Sequence, residues 1–502
     1  MPQSPSGAGA LEIPSLDLST ILPEVTLVVV AIVLLIADAA RPSRTGRWLM
    51  WASLLGLGVS AFFSIRLWDY AIGADGQVAA ERLTGMVGTV ATDRFAIFFR
   101  LLILATAAGG LLFTQTYFER TGEMRGEIYP LLLFATTGMT LLASAADLIV
   151  VFLALEILSL SLYVLSGISR ERLESQEAGL KYFLLGSFSS AFLLFGISFL
   201  YGATGTTSIA GIAEALSAET GAEVGLALMG AGLMAVGFGF KVAVVPFHMW
   251  TPDVYQGAPT PITAFMAAGT KVAGFAALLR VAFVALGPLG WDLKPALWWL
   301  AALSMVIGST LAIAQTEIKR MLAYSSISHA GFVLVGVVAA NQQGISGAMF
   351  YLAAYAAMVI GAFGVVLLVS RRGEQATSLG SYAGLARRSP LLAALLTLFL
   401  LSLAGLPPAA GFMGKLLVFR AAVDAGDWML VVVAVLASVV AAFFYLRVIV
   451  LMYMQEPEEQ TALEPAAGPG VALAVAAIVT LVLGVFPGVL LDVLDAASVL
   501  RW

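Results

Sequence analysis

At 502 residues, 60% of them hydrophobic and 11% charged, with a mean hydropathy of +0.96, this chain is excluded from the ordinary soluble globules. It has no cysteine and two histidines, which excludes a disulfide, a thiolate-held iron–sulfur cluster and a typical His-rich metal site. The formal net charge of -5 says less than its distribution along the chain.

A helix needs about 20 apolar residues to cross a bilayer, and fourteen runs qualify as spans. They lie near Ile21–Asp38, Trp48–Trp68, Phe95–Thr114, Ile128–Ala145, Leu148–Gly167, Tyr182–Tyr201 and Val224–Val245. The second seven lie near Ile262–Leu286, Ala296–Ala314, Met321–Ala339, Ile345–Val369, Leu391–Ala422, Trp428–Met454 and Val471–Leu490. Barrel strands would alternate in polarity, and these runs are apolar all round, so the expected fold is an all-α polytopic membrane protein. Little chain is left over for a soluble domain. The polar start, Met1 to Thr20, lacks the basic n-region of a cleaved signal, so the first run reads as a retained span. No G-x-G-x-x-G or Walker-type loop occurs, so dinucleotide or ATP chemistry is not expected here, nor is nucleic-acid binding.

The loops differ in charge. Arg41, Arg44, Arg47, Arg120, Arg125, Arg170, Arg172, Lys319, Arg320, Arg371, Arg372, Arg387 and Arg388 fall on one side, against Arg82, Arg94, Lys294 and Arg501 on the other. The positive-inside rule makes the first set cytoplasmic, with both termini outside as an even number of spans requires. The pieces near 69–93 and 204–223 are then outside, whereas 371–389 (basic) and 455–470 (acidic, Pro-rich) are inside.

Spans four to eight and nine to thirteen form two sets of five, each with a Pro-interrupted run in fourth position, at Pro246 and Pro408. Because five is odd, consecutive copies must be inverted in the membrane. Paired broken helices at corresponding places in inverted repeats point to an ion site, although proline also simply kinks membrane helices. The expected divisions are residues 1–127 (three spans), 128–286 (first repeat), 294–454 (second repeat) and 471–502 (last span).

Three lysines sit within spans: Lys241 five residues before Pro246, Lys271 near the middle of span eight, and Lys415 after Pro407-Pro408. A charge at midspan costs roughly 2.5–3.5 kcal/mol on insertion scales, so each needs an offsetting role. Desolvation disfavours the charged ammonium, which suits a proton carrier working near neutral pH. Snorkelling is the usual alternative; it fits Lys181, at the mouth of span six, better than Lys271. Glu156, midway along span five, would pair with a lysine of a neighbouring span, either as a switchable pair or as a static bridge. His329 in Ser325-Ser326-Ile327-Ser328-His329 reads as a relay or as a satisfied core histidine. His248, beside Pro246, reads more as part of the turn. Arg66, Arg100, Arg280, Arg420 and Arg447 fall near span ends, where snorkelling accounts for them.

The stretch Val245-Pro246-Phe247-His248-Met249-Trp250-Thr251-Pro252-Asp253-Val254-Tyr255-Gln256-Gly257-Ala258-Pro259-Thr260-Pro261 strongly resembles the span-seven/eight connection of the subunit N family of bacterial NADH:quinone oxidoreductase, respiratory complex I. So do Leu22-Pro23-Glu24, the run Lys319-Arg320-Met321-Leu322-Ala323-Tyr324-Ser325-Ser326-Ile327-Ser328-His329, and Leu403-Ala404-Gly405-Leu406-Pro407-Pro408 with Gly411-Phe412 and Gly414-Lys415. The resemblance covers nearly the whole chain. It implies fourteen helices with two inverted five-helix repeats, akin to antiporter subunits and discontinuous at spans seven and twelve. It also implies a proton path through Glu156, Lys241, Lys271, His329 and Lys415, with Lys181 matching a span-six lysine. The M-type sister family and its antiporter relative carry glutamate in span twelve, so Lys415 separates this chain from them. The L-type sister has a long lateral helix that this sequence lacks. Animal mitochondrial versions lack the first three spans, so the resemblance points to a bacterial or plastid-type protein, and abundant Ala and Gly favour a bacterial inner membrane.

By the same resemblance, FMN, iron–sulfur clusters, NADH and quinone belong to other subunits. This chain would hold no cofactor or redox centre, and its neighbours would be lipid, a K-type small subunit and an M-type antiporter-like subunit. The expected role is a proton-translocating module of that translocase. A stand-alone or Mrp-type cation/proton antiporter subunit is the alternative, and a structural scaffold the third.

Overall fold

The computed structural model describes residues 17–40, 46–70, 84–218, 223–370, 377–456 and 466–500. Arg41, Arg44, Arg82, Arg371, Arg372, Arg501, the polar start before residue 17 and the middle of the acidic linker lie outside the described residues. Twelve helices are long and apolar enough to cross a membrane, and two shorter apolar ones, Ile128–Ala143 and Pro390–Ala404, bring the described spans to fourteen.

The first six spans are Leu22–Ala40, Arg47–Arg66, Arg94–Thr121, Ile128–Ala143, Leu148–Ser166 and Leu173–Thr204. Span six begins earlier, and span three ends later, than the apolar runs suggest, because charged residues such as Lys181 and Arg120 are carried on helical ends. Asp93 and Asp147 start spans three and five by accepting from the amides of Ala96 and Ile149, which satisfies donors that a helix start leaves free. Span seven is Val224–Val242, followed by the short helix Trp250–Gly257; span eight runs over Thr260–Ala285. Spans nine to eleven are Gly290–Ile313, Ile318–Val338 and Gln342–Val369. Span twelve is split into Pro390–Ala404 and Ala410–Asp424, and span thirteen is Trp428–Met454. The last run, expected to continue to Leu490, instead stops at Val485; Pro487 ends it, and Gly488–Ala497 forms a separate helix.

Spans eight, ten and eleven form the centre, with 94% of their most apolar windows buried. Spans one and thirteen are only 33% buried and turn apolar faces outward, as lipid-facing helices do. A two-residue hairpin, Thr84–Gly85 with Val90–Ala91, lies beside the start of span three, and Val90 bridges to Ala145.

The two repeats carry the same backbone clip. The amide of Leu148 donates to Thr207 O at 2.9 Å and that of Ile209 to Ala146 O at 3.0 Å. Ile318 donates to Thr377 O at 2.8 Å and Leu379 to Thr316 O at 2.8 Å, every residue number being raised by 170. Five spans separate the clips, so they close opposite faces of the membrane, as inverted repeats require.

Both breaks end in the same closure. Val244 N donates to Gly239 O at 2.9 Å, and Leu406 N to Leu401 O at 3.0 Å, so carbonyls at the helix end are satisfied. Ala243 (φ +61°) and Gly405 (φ +88°) are left-handed caps, and the Val245-Pro246 and Pro407-Pro408 peptides are cis. Ser304 Oγ of span nine accepts from Val245 N at 2.9 Å, and Trp250 Nε1 donates to Phe240 O at 2.9 Å. These bonds hold the first break open without leaving its backbone bare.

Candidate functional site

Lys241 occupies the last turn before the first break and is 3% exposed. Its Nζ donates to Ser159 Oγ at 2.9 Å, with Tyr182 Oη at 3.5 Å and the Tyr182 ring 5.7 Å away. Glu156 is one turn before Ser159 on span five and half-buried, and its Oε1 has no hydrogen-bond partner. No direct ion pair joins Glu156 and Lys241 among the described residues; Lys241 donates instead to Ser159, one turn along the same span.

The stem of Lys241 packs on span eight at Gly274, where an added Cβ would meet Lys241 Cγ at 3.6 Å. One turn earlier on span eight is Lys271. It follows a π-helical turn, Met266–Thr270, a local widening that recurs at functional positions. Lys271 Nζ donates to Ser326 Oγ at 2.6 Å and to the Ser326 carbonyl, and lies 5.4 Å from the Tyr355 ring.

Ser326 is one turn before His329 on span ten, and the Tyr355 ring is also 5.3 Å from the His329 ring. His329 Nδ1 bonds Tyr351 Oη at 2.7 Å and Nε2 bonds Tyr445 Oη at 3.1 Å; Tyr445 in turn bonds Ser325. Phe332, one turn further, lies 4.5 Å beneath Lys415 Nζ. Lys415 donates to Ala404 O, the carbonyl at the second break, at 2.9 Å. Lys271, His329 and Lys415 thus form one row through the buried centre, joined by Ser326 and the Tyr355 and Phe332 rings, and Lys241 stands at its end with its stem against Gly274 on the helix of Lys271. Helical spacing of three to four residues accounts for each step along a span.

Two of the sequence candidates lie elsewhere. Lys181 is 40% exposed and pairs with Glu177 and Asp253, each at 2.7 Å. Asp253 also takes Arg320 at 2.7 Å, so Lys181 belongs to an ion cluster near the starts of spans six and ten. His248 is half-buried in the first break, and its Nδ1 has no hydrogen-bond partner.

Snorkelling does not describe two of the arginines. Arg100 is fully buried and bonds Glu24 at 2.8 Å; Arg280 is 1% exposed and bonds both oxygens of Asp93 at 2.8 and 2.9 Å. Arg447 donates to the Ile313 and Gln315 carbonyls at the end of span nine. The linking residues Ser159, Tyr182, Ser326, Tyr351, Tyr355 and Tyr445 were not singled out by the sequence; their only signal is a hydroxyl inside an apolar run. Among the described residues, no group of three His, Cys, Asp or Glu could hold a metal ion.

Residues 145–441, which include both breaks and the whole row, match the family model described as NADH:quinone oxidoreductase/Mrp antiporter, TM. A relative from Trichlorobacter lovleyi named NADH-quinone oxidoreductase subunit N is 45% identical over 95% of this chain and 96% of its own length. The chain belongs to the NADH-quinone oxidoreductase subunit N family. A structure of respiratory complex I from Thermus thermophilus with bound aureothin contains a chain that matches at TM-score 0.79 and 38% identity, covering 95% of this chain and all of that one. A structure of the Mrp complex from Dietzia sp. matches at TM-score 0.81 but 21% identity, over 96% and 97% of the two chains. That likeness is one of fold. The subunit N family membership and twelve helices long and apolar enough to cross a membrane among the described residues make this a multi-pass membrane protein.

Proposed function

We propose that this chain is a proton-translocating membrane subunit of NADH:quinone oxidoreductase and that its central row carries the protons. The observation behind this reading is the continuity of Lys241, Lys271, His329 and Lys415 across the meeting of two inverted repeats. Each buried ammonium is costly alone in hydrocarbon, and each has a hydroxyl or carbonyl acceptor that stabilises its protonated form. Glu156, half-buried, is where a neighbouring subunit's charge movement would be felt. Moving charge near Glu156 changes how firmly Lys241 holds its proton and drives it toward Lys271, His329 and Lys415. Lys241 serves the cytoplasmic half of the path and Lys415 the outer half. Lys181 and His248 serve its inner approach.

Electron transfer, with FMN, iron–sulfur clusters, NADH and quinone, is assigned to other subunits, and K-type and M-type subunits are the proposed neighbours. The relatives' name and the match to a complex I chain support this assignment. A stand-alone or Mrp-type antiporter shares the fold at lower identity. The charge bias of the loops supports both termini facing outside, and the bacterial relatives support a bacterial inner membrane. Residues 1–127 and 471–502 then flank repeats at 128–286 and 294–454.

The test is Lys241→Ala in the assembled complex. Proton pumping and quinone reduction should fall together while the subunit stays bound. Normal coupled pumping would remove Lys241 from the path.

A further inference from the structure

Both ring nitrogens of His329 are held by tyrosine hydroxyls from two different spans. Nδ1 bonds Tyr351 Oη of span eleven at 2.7 Å, and Nε2 bonds Tyr445 Oη of span thirteen at 3.1 Å. Tyr445 Oη also bonds Ser325 Oγ, one turn before His329 on span ten. All four side chains are buried, Tyr445 completely, although span thirteen otherwise turns mostly outward. The bonded chain Ser325, Tyr445, His329, Tyr351 starts one residue from Ser326, the acceptor of Lys271. It ends on a ring packed against span twelve: a Cβ added at Gly414, next to Lys415, would lie 3.1 Å from Tyr351 Cδ2. Among the described residues, the other titratable groups facing His329 are Lys271, Lys415 and Tyr355.

Resting on the reading of the central row as a proton path, we propose that Tyr445 and Tyr351 pass protons into and out of the His329 imidazole. The rings of Phe332 and Tyr355 steady a charge but cannot hand on a proton; a chain of hydroxyls and an imidazole can. A neutral imidazole donates from one nitrogen and accepts at the other, whereas a hydroxyl does either. With the ring proton on Nδ1, Ser325 donates to Tyr445, Tyr445 to Nε2, and Nδ1 to Tyr351. Tyr445 gives its proton to Nε2 and takes that of Ser325. The Nδ1 proton moves to Tyr351 Oη, which releases its own toward Lys415. Ser325 is refilled by the proton that Lys271 gives up through Ser326. One positive charge thus leaves Lys271 and one appears on Lys415, with none left on the chain. The imidazole ends as the other tautomer, so the ring and its hydroxyls must turn back before the next proton.

The test uses the complete complex in sealed vesicles and compares Tyr445→Phe, Tyr351→Phe and His329→Ala at equal assembly. In a fourth complex Tyr445 is replaced by 3,5-difluorotyrosine, which keeps the ring and the hydroxyl but makes the hydroxyl more acidic. Each phenylalanine variant should lower this subunit's contribution to pumping by about 100-fold, the low end for a positioned proton-transfer group, and as far as His329→Ala does. The difluorotyrosine complex should pump, with the alkaline limb of its pH profile moved to lower pH, because its hydroxyl loses its proton earlier than that of tyrosine. A hydroxyl that only fixes the ring would leave that limb in place. An unmoved profile therefore overturns the inference, and does so even where a phenylalanine variant fails to assemble. Wild-type pumping in both phenylalanine variants beside an impaired His329→Ala also overturns it, and leaves the row standing. Wild-type pumping in His329→Ala removes the reading of the row and this inference together.

Discussion

At the scale of single residues, the lysines of the central row are legible because a charge inside an apolar run needs an explanation whatever the fold. The arginines illustrate the opposite case. Arg100 and Arg280 fall near span ends, where a snorkelling side chain and a buried ion pair look alike in sequence. Their partners, Glu24 and Asp93, are 76 and 187 residues away, beyond the reach of any helical spacing rule. Removing one partner of a buried pair leaves the other charge stranded, which costs about 3–5 kcal/mol. Arg280→Met should therefore lower the thermal stability of the purified complex and reduce retention of this subunit. Arg280→Met combined with Asp93→Leu should recover most of that loss, less about 1 kcal/mol for the cap that Asp93 gives span three. If the double variant is no more stable than the single one, the pair is not what holds spans three and eight together. Ser159 and the tyrosines around His329 are less visible still, since a hydroxyl in a membrane helix most often bonds its own backbone.

Individual elements divide by what their sequence must announce. The spans and their two breaks are readable because length, apolarity and proline are local properties. The π-turn before Lys271 has no such mark. The repeat is announced more fully than its prolines suggest: Thr207-Ser208-Ile209 and Thr377-Ser378-Leu379 stand 170 residues apart at the two clips. The second break depends on Gly405, whose φ of +88° favours glycine and where an added Cβ would lie 2.8 Å from Lys415 Cδ. Gly405→Ala should destabilise by about 1–2 kcal/mol through the left-handed backbone alone and push the Lys415 stem aside. Its pumping should fall more than its stability, as read by proton uptake in vesicles at equal assembly. Wild-type pumping with lowered stability would make the cap purely structural.

For the molecule as a whole, the inverted repeats bring the two broken helices to one buried centre, and Lys271 is where they meet. One turn along its helix Gly274 lies against the Lys241 stem, and Lys271 itself bonds Ser326, the residue one turn from His329. Neither repeat by itself spans the row, and the proposed path crosses between them at Lys271. The direct measurement is the number of protons pumped per quinone reduced by Lys271→Ala complex in sealed vesicles, at wild-type assembly. The account predicts that this subunit's contribution disappears, with quinone reduction slowed wherever the steps are tightly coupled. An unchanged proton-to-quinone ratio at an unchanged rate would contradict it.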